Sequence, residues 1–271
     1  MISYTIKHVK TFVTEKVFKD GAVNVNINTG GKNLDFTVRD ILVEAHLNSS
    51  DSILALMMTV DALKRQFPRA DLGLLMPYTM YARQDRICNK GEALGIAVFG
   101  DLINSMGFKS IVVADPHSMA TQVAIKGALA MDQFDMFSDI KQSWREWIIV
   151  APDAGATKKC EDFAKRVGAE GVLTFHKRRN PETMEIEGVY ASDNIYGSKN
   201  YIVLDDICDG GRTFVEIYKA IGIGKRIELA VTHGIFSYGV DVVTNVYDHV
   251  YTTNSFRQDL VSDEKLTVIK V

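Results

Sequence analysis

Cysteine is scarce in this sequence, and what there is does not cluster. Cys88, Cys160 and Cys208 are odd in number and far apart, with no Cys-x-x-Cys pair. Neither a disulfide framework nor a zinc knuckle is supported, and a reducing cytoplasm is the expected setting. A basic excess is also missing: 31 Lys and Arg against 34 Asp and Glu leave a net charge of −3. That balance argues against a nucleic-acid partner, because a coat for polyanions needs a strong positive field. No apolar run reaches bilayer length, so no membrane partner is expected. The opening Met1-Ile2-Ser3-Tyr4-Thr5-Ile6-Lys7 lacks the charged-then-apolar layout of a signal peptide.

What is present is ordinary for a globular chain: 46% hydrophobic and 24% charged residues over 271 positions, room enough for two domains. Short apolar runs recur at 71–77, 109–115, 146–152, 201–205 and 225–231. Runs apolar on both faces suit buried parallel strands. Between them lie amphipathic stretches. Ile53, Met57, Val60, Leu63 and Phe67 repeat at three and four residues, as do Leu94, Val98, Leu102 and Met106, and Ala156, Cys160, Phe163 and Val167. Alternating strand and helix predicts an α/β fold. Val23 to Ile27 alternates apolar and polar residues before Thr29-Gly30-Gly31-Lys32, which reads as a β-hairpin near the N-terminus. A polar helix near 137–146 precedes a fresh strand. Two similar domains, 1–143 and 144–271, are expected there.

In open α/β sheets ligands gather beyond the carboxyl ends of the strands. The strand ending at Asp205 runs into Asp205-Asp206-Ile207-Cys208-Asp209-Gly210-Gly211-Arg212-Thr213, then a helix carrying Phe214, Ile217, Tyr218 and Ile221. Two acids at a strand end can accept hydrogen bonds from vicinal sugar hydroxyls. A glycine turn entering a helix exposes N–H groups where the dipole favours an anion. Sugar and phosphate would sit side by side. The plainer reading is a tight turn with a carboxylate helix cap.

This segment resembles the phosphoribosyl-diphosphate fingerprint shared by type I phosphoribosyltransferases and ribose-phosphate diphosphokinases (PRPP synthetases). Further segments resemble the second family. They are Tyr81-Ala82-Arg83-Gln84-Asp85-Arg86 (an ATP loop), Ala114-Asp115-Pro116-His117-Ser118, Val150 to Ala156 with its Pro-Asp-Ala-Gly, His176-Lys177-Arg178-Arg179, and Thr232-His233-Gly234-Ile235-Phe236-Ser237. The matches are collinear and cover almost the whole chain. The resemblance implies two type I phosphoribosyltransferase-like domains, each a mainly parallel sheet flanked by helices. It also implies transfer of diphosphate from ATP to the anomeric O1 of ribose 5-phosphate, with release of AMP.

The same resemblance implies the roles. Lys177 and Arg179 would close over the transferring diphosphate, where a solvated basic turn is the plainer reading. Arg83, Gln84, Asp85 and His117 would bind ATP. His117 and Asp153 would help hold a partly hydrated Mg²⁺, which prefers oxygen ligands. Phe18 and Asp20, in Phe18-Lys19-Asp20-Gly21, would reach the ATP site of a neighbouring subunit, so a homo-oligomer with a shared site is expected. Core packing is the alternative for Phe18. Asp205 and Asp206 would hold the ribose 2- and 3-hydroxyls, and Asp209, Gly210, Gly211, Arg212 and Thr213 the 5-phosphate. His233 reads as a structural residue.

Departures accompany the match. Ala22 stands where the family usually has glutamate. The phosphate loop's Asp-Thr-Gly-Gly-Thr is Asp209-Gly210-Gly211-Arg212-Thr213 here, with a hydroxyl lost at Gly210 and a cation gained at Arg212. An added guanidinium could meet a second phosphate, so a larger acceptor such as ADP-ribose is an alternative to ribose 5-phosphate. Typical members continue into a further helix beyond the stretch like Leu266 to Val271, so oligomer geometry and feedback are not carried over. The rival readings are a non-catalytic regulatory subunit and a phosphoribosyltransferase. His117, Asp153, Lys177, Arg179, Asp205 and Asp206 speak against the first, and the Tyr81–Arg86 loop against the second.

Overall fold

The computed structural model describes residues 1–29, 37–179, 186–193, 199–222 and 224–271, and of residues 141, 177–179, 186 and 187 the backbone alone. The chain divides into two compact units, Met1–Met131 and Asp132–Val271. Both are α/β.

In the first unit, β1 (Ile2–Ile6), β2 (Val9–Phe12), β3 (Thr14–Val17) and β4 (Val23–Asn26) precede β5 (Asp40–Ala45) and α1 (Ser50–Gln66). Then come β6 (Asp71–Met76), α2 (Gly95–Ser105), β7 (Ser110–Ala114), α3 (Ala120–Ala124) and β8 (Ala128–Met131). The main sheet runs β2-β1-β5-β6-β7-β8, with β5 to β8 parallel and β1 antiparallel to both its neighbours. Helix α1 starts at a reciprocal cap: the Ser52 N–H donates to Ser49 Oγ and the Ser49 N–H to Ser52 Oγ, both at 3.3 Å. Asp51 in its first turn and Lys64 and Arg65 in its last suit the helix dipole. Its buried face carries Ile53, Val60 and Leu63, as the spacing predicts.

Two expectations change here. The hairpin is made by β4 with the strand before it: β3 pairs antiparallel with β4, from Thr14 opposite Asn26 to Val17 opposite Val23. The connection is the Phe18–Ala22 turn, where the Phe18 N–H donates to the Ala22 carbonyl at 2.8 Å. Of the predicted turn at 29–32, residues 30–32 lie outside the described residues. The second change is the face of α2. Val98 is 57% exposed and Leu102 is exposed too, while Ile96, Phe99 and Ile103 are buried. The helix is apolar nearly all round, so spacing alone did not select a face. Gly100 selects it, because a Cβ there would meet the Ala124 carbonyl oxygen at 2.6 Å.

The second unit opens with α4 (Gln133–Met136) and a short 3₁₀ turn, Lys141–Trp144. These replace the single polar helix expected near 137–146. Phe137 and Trp144 are fully buried in this unit's core, so the segment is anchored by aromatic packing. Next come β9 (Ile148–Ala151), α5 (Thr157–Val167), β10 (Gly171–Arg179), β11 (Ile186–Ala191), β12 (Tyr201–Cys208) and α6 (Arg212–Ile221). The last elements are β13 (Ile227–Gly234), α7 (Asp241–Thr244), β14 (His249–Thr253) and β15 (Leu266–Ile269). The sheet order is β11-β10-β9-β12-β13-β14-β15, parallel except for the β10–β11 pair. All eight residues of β13 are buried, among them Glu228. Its Oε2 accepts from Trp144 Nε1 at 2.9 Å and its Oε1 from Arg226 at 2.7 Å, so this buried carboxyl is fully engaged.

Candidate active site

Strands β6 and β7 are parallel neighbours, so the loops after them leave the first unit's sheet at one edge. The loop after β6 holds Arg83, Gln84 and Asp85. It turns at Tyr81, whose φ of 61° is left-handed. That strain is held by packing and hydrogen bonding: Tyr81 lies 5.8 Å from Phe99, centroid to centroid, and its hydroxyl lies 3.0 Å from Ser50 Oγ. The Gln84 N–H donates to the Tyr81 carbonyl at 2.9 Å. The Gln84 side chain packs over Gly95, where any Cβ would overlap its amide. Asp85, with a side chain 9% exposed, accepts from Arg86 Nε at 2.9 Å. The Arg86 guanidinium lowers the Asp85 carboxyl below its ordinary range, with Ser118 and the nearby His117 adding to the effect.

His117 follows β7, one residue after Pro116, and is exposed. Asp115 before it sits at φ 35°. The structure therefore brings the predicted Asp85 and His117 into one neighbourhood within the first unit. Phe18 is 43% exposed, with Lys16 Nζ 4.8 Å from its ring centroid, so it is not a core residue. Asp20 Oδ1 accepts from the Ala22 N–H at 3.0 Å and closes the same turn.

In the second unit the candidate residues lie on or just after β9, β10 and β12, which are adjacent in the sheet. Asp153, after β9, uses one carboxylate oxygen as a cap: Oδ1 accepts from the Gly155 N–H at 3.0 Å and the Ala156 N–H at 3.3 Å. Lys177 and Arg179 lie in the last three residues of β10, and their side chains lie outside the described residues. β12 runs three residues beyond the expected end at Asp205, since Ile207 and Cys208 still pair with His233 and Gly234. Asp205 and Asp206 are thus strand residues, fixed in register.

Asp205 Oδ1 accepts from the Asp206 N–H at 2.9 Å. Burial, and the Asp206 carboxylate beside it, push the Asp205 carboxyl well above the ordinary range. Burial also lifts the Cys208 thiol to about 12, so Cys208 stays protonated and unreactive at neutral pH. Beyond it, Gly211 takes φ 78° and starts α6 with no side-chain cap. A Cβ on Gly211 would meet Val242 Cγ1 at 2.9 Å, so the turn requires glycine twice over. The first N–H groups of α6 therefore face the loop without a side-chain acceptor from the cap, which is the local geometry that takes a phosphate.

Sequence patterns gave no hint of two residues at this site. Gln133, 1% exposed on α4, donates from Nε2 to the Asp205 carbonyl at 2.6 Å and to Thr232 Oγ1 at 3.1 Å. Tyr238, after β13, packs its ring against Gly210. His233, read as structural, is buried and pairs Nδ1 with Ser255 Oγ at 2.8 Å.

Residues 2–107 match the family model for the N-terminal domain of ribose phosphate pyrophosphokinase. Similarity to curated proteins extends over nearly the whole chain. The ribose-phosphate pyrophosphokinase of Mycoplasmopsis pulmonis is 29% identical over 90% of this chain and 76% of that protein. That of Aquifex aeolicus is 29% identical over 94% and 82%. Over most of its length the chain is therefore similar to ribose-phosphate pyrophosphokinases, which are enzymes. Its fold is that of phosphoribosylpyrophosphate synthetase from Mycobacterium smegmatis, with a TM-score of 0.77 over 96% of this chain and 86% of that one at 22% identity.

The donor chemistry fits a magnesium ion carried by substrate. Among the described residues no group of three or more His, Cys, Asp and Glu could cage a metal alone. Mg²⁺ is usually held by one or two carboxylates with waters and substrate phosphates, so a single carboxylate such as that of Asp153 would be a sufficient protein donor. Among the described residues, no helix is long and apolar enough to cross a membrane.

Proposed function

We propose that the protein transfers the β,γ-diphosphate of ATP, with Mg²⁺, to the anomeric O1 of a ribose 5-phosphate unit, giving PRPP or a PRPP-like product and AMP. The observation that carries this reading is the paired acids of β12 running into a helix start that only glycine can make. Asp205 and Asp206 would accept hydrogen bonds from the ribose 2- and 3-hydroxyls. The N–H groups of Asp209, Gly210, Gly211, Arg212 and Thr213 would cradle the 5-phosphate. Arg83, Gln84, Asp85 and His117 would receive ATP, with Phe18 and Asp20 supplied by a neighbouring copy in a homo-oligomer. Asp153 and His117 would hold the bound ion, whose chemistry is to neutralise polyphosphate charge.

The reaction is a displacement at phosphorus. O1 bonds to the β-phosphorus, the bond from that phosphorus to the α,β-bridging oxygen breaks, and AMP leaves with that oxygen. The O1 proton passes to solvent. There is little covalent work for side chains, so positioning and charge neutralisation supply the rate. Lys177 and Arg179 are suited to the charge that develops on the moving group.

A larger acceptor, with ADP-ribose as the type, is favoured by one specific feature: the loop has lost a side chain at Gly210 and gained a cation at Arg212. The test is AMP release from Mg²⁺–ATP with and without each acceptor. Release that depends on a ribose 5-phosphate unit is the expected result. AMP at the acceptor-free level with both acceptors would remove the enzyme reading and favour a non-catalytic subunit.

A further inference from the structure

The segment after β13 is tied to the phosphate loop along its length. The Ile235 and Phe236 N–H groups both donate to the Cys208 carbonyl, at 2.9 and 3.1 Å, and the Ser237 N–H donates to the Asp209 carbonyl at 3.2 Å. Phe236 is buried and takes φ 49°, and the Gly239 N–H closes a turn onto its carbonyl at 2.9 Å. A left-handed non-glycine residue held by a buried ring marks a stiff turn. Tyr238 stands at its crest, 80% exposed. A Cβ built on Gly210 would meet Tyr238 Cε2 at 2.9 Å and Cδ2 at 3.0 Å, with Ser237 Oγ at 3.9 Å. The ring therefore occupies the volume that any side chain at position 210 would need. The missing side chain of the loop and the aromatic ring beside it form one arrangement.

We propose that Tyr238 is a specificity-determining residue of the sugar-phosphate site, standing on the phosphate loop to stack against a planar aromatic group joined to the ribose through its 5-phosphate. This rests on the reading that residues 209–213 cradle that phosphate. A ring fixed on a stiff turn has few rotamers to lose on binding, which makes it an efficient stacking surface. Every nucleobase has a face that such a ring accepts. The acceptor class is then a nucleoside diphosphate-linked ribose with a free anomeric hydroxyl. A bare ribose 5-phosphate presents nothing to the ring, so Tyr238 acts on the preference between the two.

The experiment measures kcat/KM with Mg²⁺–ATP for ADP-ribose and for ribose 5-phosphate, and takes their ratio, in the parent, Tyr238→Ala and Tyr238→Phe. Tyr238→Ala is expected to lower the ratio about ten- to a hundred-fold, the scale of one lost base stack. Tyr238→Phe, which keeps the ring, should hold the ratio within about three-fold. An unchanged ratio in Tyr238→Ala overturns the proposal. So does turnover of ribose 5-phosphate in the parent with none of ADP-ribose, which leaves the diphosphotransferase reading standing. AMP release with neither acceptor sinks that reading and the proposal together. A second pair checks the packing independently: Gly210→Thr should raise the KM for ribose 5-phosphate at least about ten-fold, and Tyr238→Ala in that background should reverse most of it. Purely additive effects would contradict the shared volume.

Discussion

The buried amide of Gln133 donates to the main-chain carbonyl of Asp205 at 2.6 Å. The strand that carries the acid pair is thereby fixed from α4 as well as from β13. Gln133→Leu keeps the size of the side chain and removes the donor, leaving that carbonyl without this partner. A loss of about 1–3 kcal/mol in unfolding free energy is expected from urea titration. KM for the sugar phosphate should rise with kcat little changed, because the amide acts through Asp205. An unaltered KM would mean the contact supports the fold alone.

Asp205 makes stability depend on pH in an unusual direction. Its carboxyl in the folded protein binds protons more tightly than in the unfolded chain. Between the unfolded value and the raised folded one, the folded state holds more protons, so stability falls as pH rises through that window. Asp205→Asn removes the group and with it the slope. Urea unfolding from about pH 5 to about pH 8 should show the parent losing stability relative to Asp205→Asn as pH rises. Parallel curves would remove this account of the pair.

Trp144 and Glu228 join the start of the second unit to β13, a fully buried strand of its sheet. Trp144→Phe leaves most of the aromatic packing and deletes the N–H donated to Glu228 Oε2. Destabilisation of about 1–3 kcal/mol is expected. Calorimetry that found the variant as stable as the parent would show that this hydrogen bond contributes nothing net.

Substitutions at Arg83 and Lys177 test the proposed binding and turnover roles separately. Arg83→Ala should raise KM for ATP about ten-fold or more, since a guanidinium–phosphate contact is charge-assisted, with a melting temperature close to the parent's because the residue is exposed. Lys177→Ala should lower kcat about a hundred- to a thousand-fold with ATP binding by calorimetry retained. Near-normal turnover would take the catalytic role from Lys177.

The buried strands and three of the four long amphipathic faces were legible because they rest on periodicity and length, which burial enforces. The face of α2 was not. With apolar residues around nearly all of its circumference, the close approach of Gly100 to Ala124 chooses the side, and that approach is long-range. The hairpin was visible in Val23 to Ile27, but among the described residues its partner is the preceding strand, since alternation marks a strand and says nothing of which neighbour pairs with it. At the candidate site, the acids and glycines of 205–213 stand out in the sequence by type and order. Gln133 and Tyr238 do not, because one acts on a main-chain carbonyl 72 positions away and the other fills a gap left by a glycine. Both relationships exist only in three dimensions.

The central claim is that a diphosphate moves as a unit onto an anomeric oxygen. Phosphorus-31 NMR of the reaction of Mg²⁺–ATP with a ribose 5-phosphate acceptor tests it most directly. The account predicts AMP together with a new pair of coupled phosphorus signals from a diphosphate ester at the sugar C1. ADP with a singly phosphorylated sugar, or free phosphate with no new ester, would contradict it.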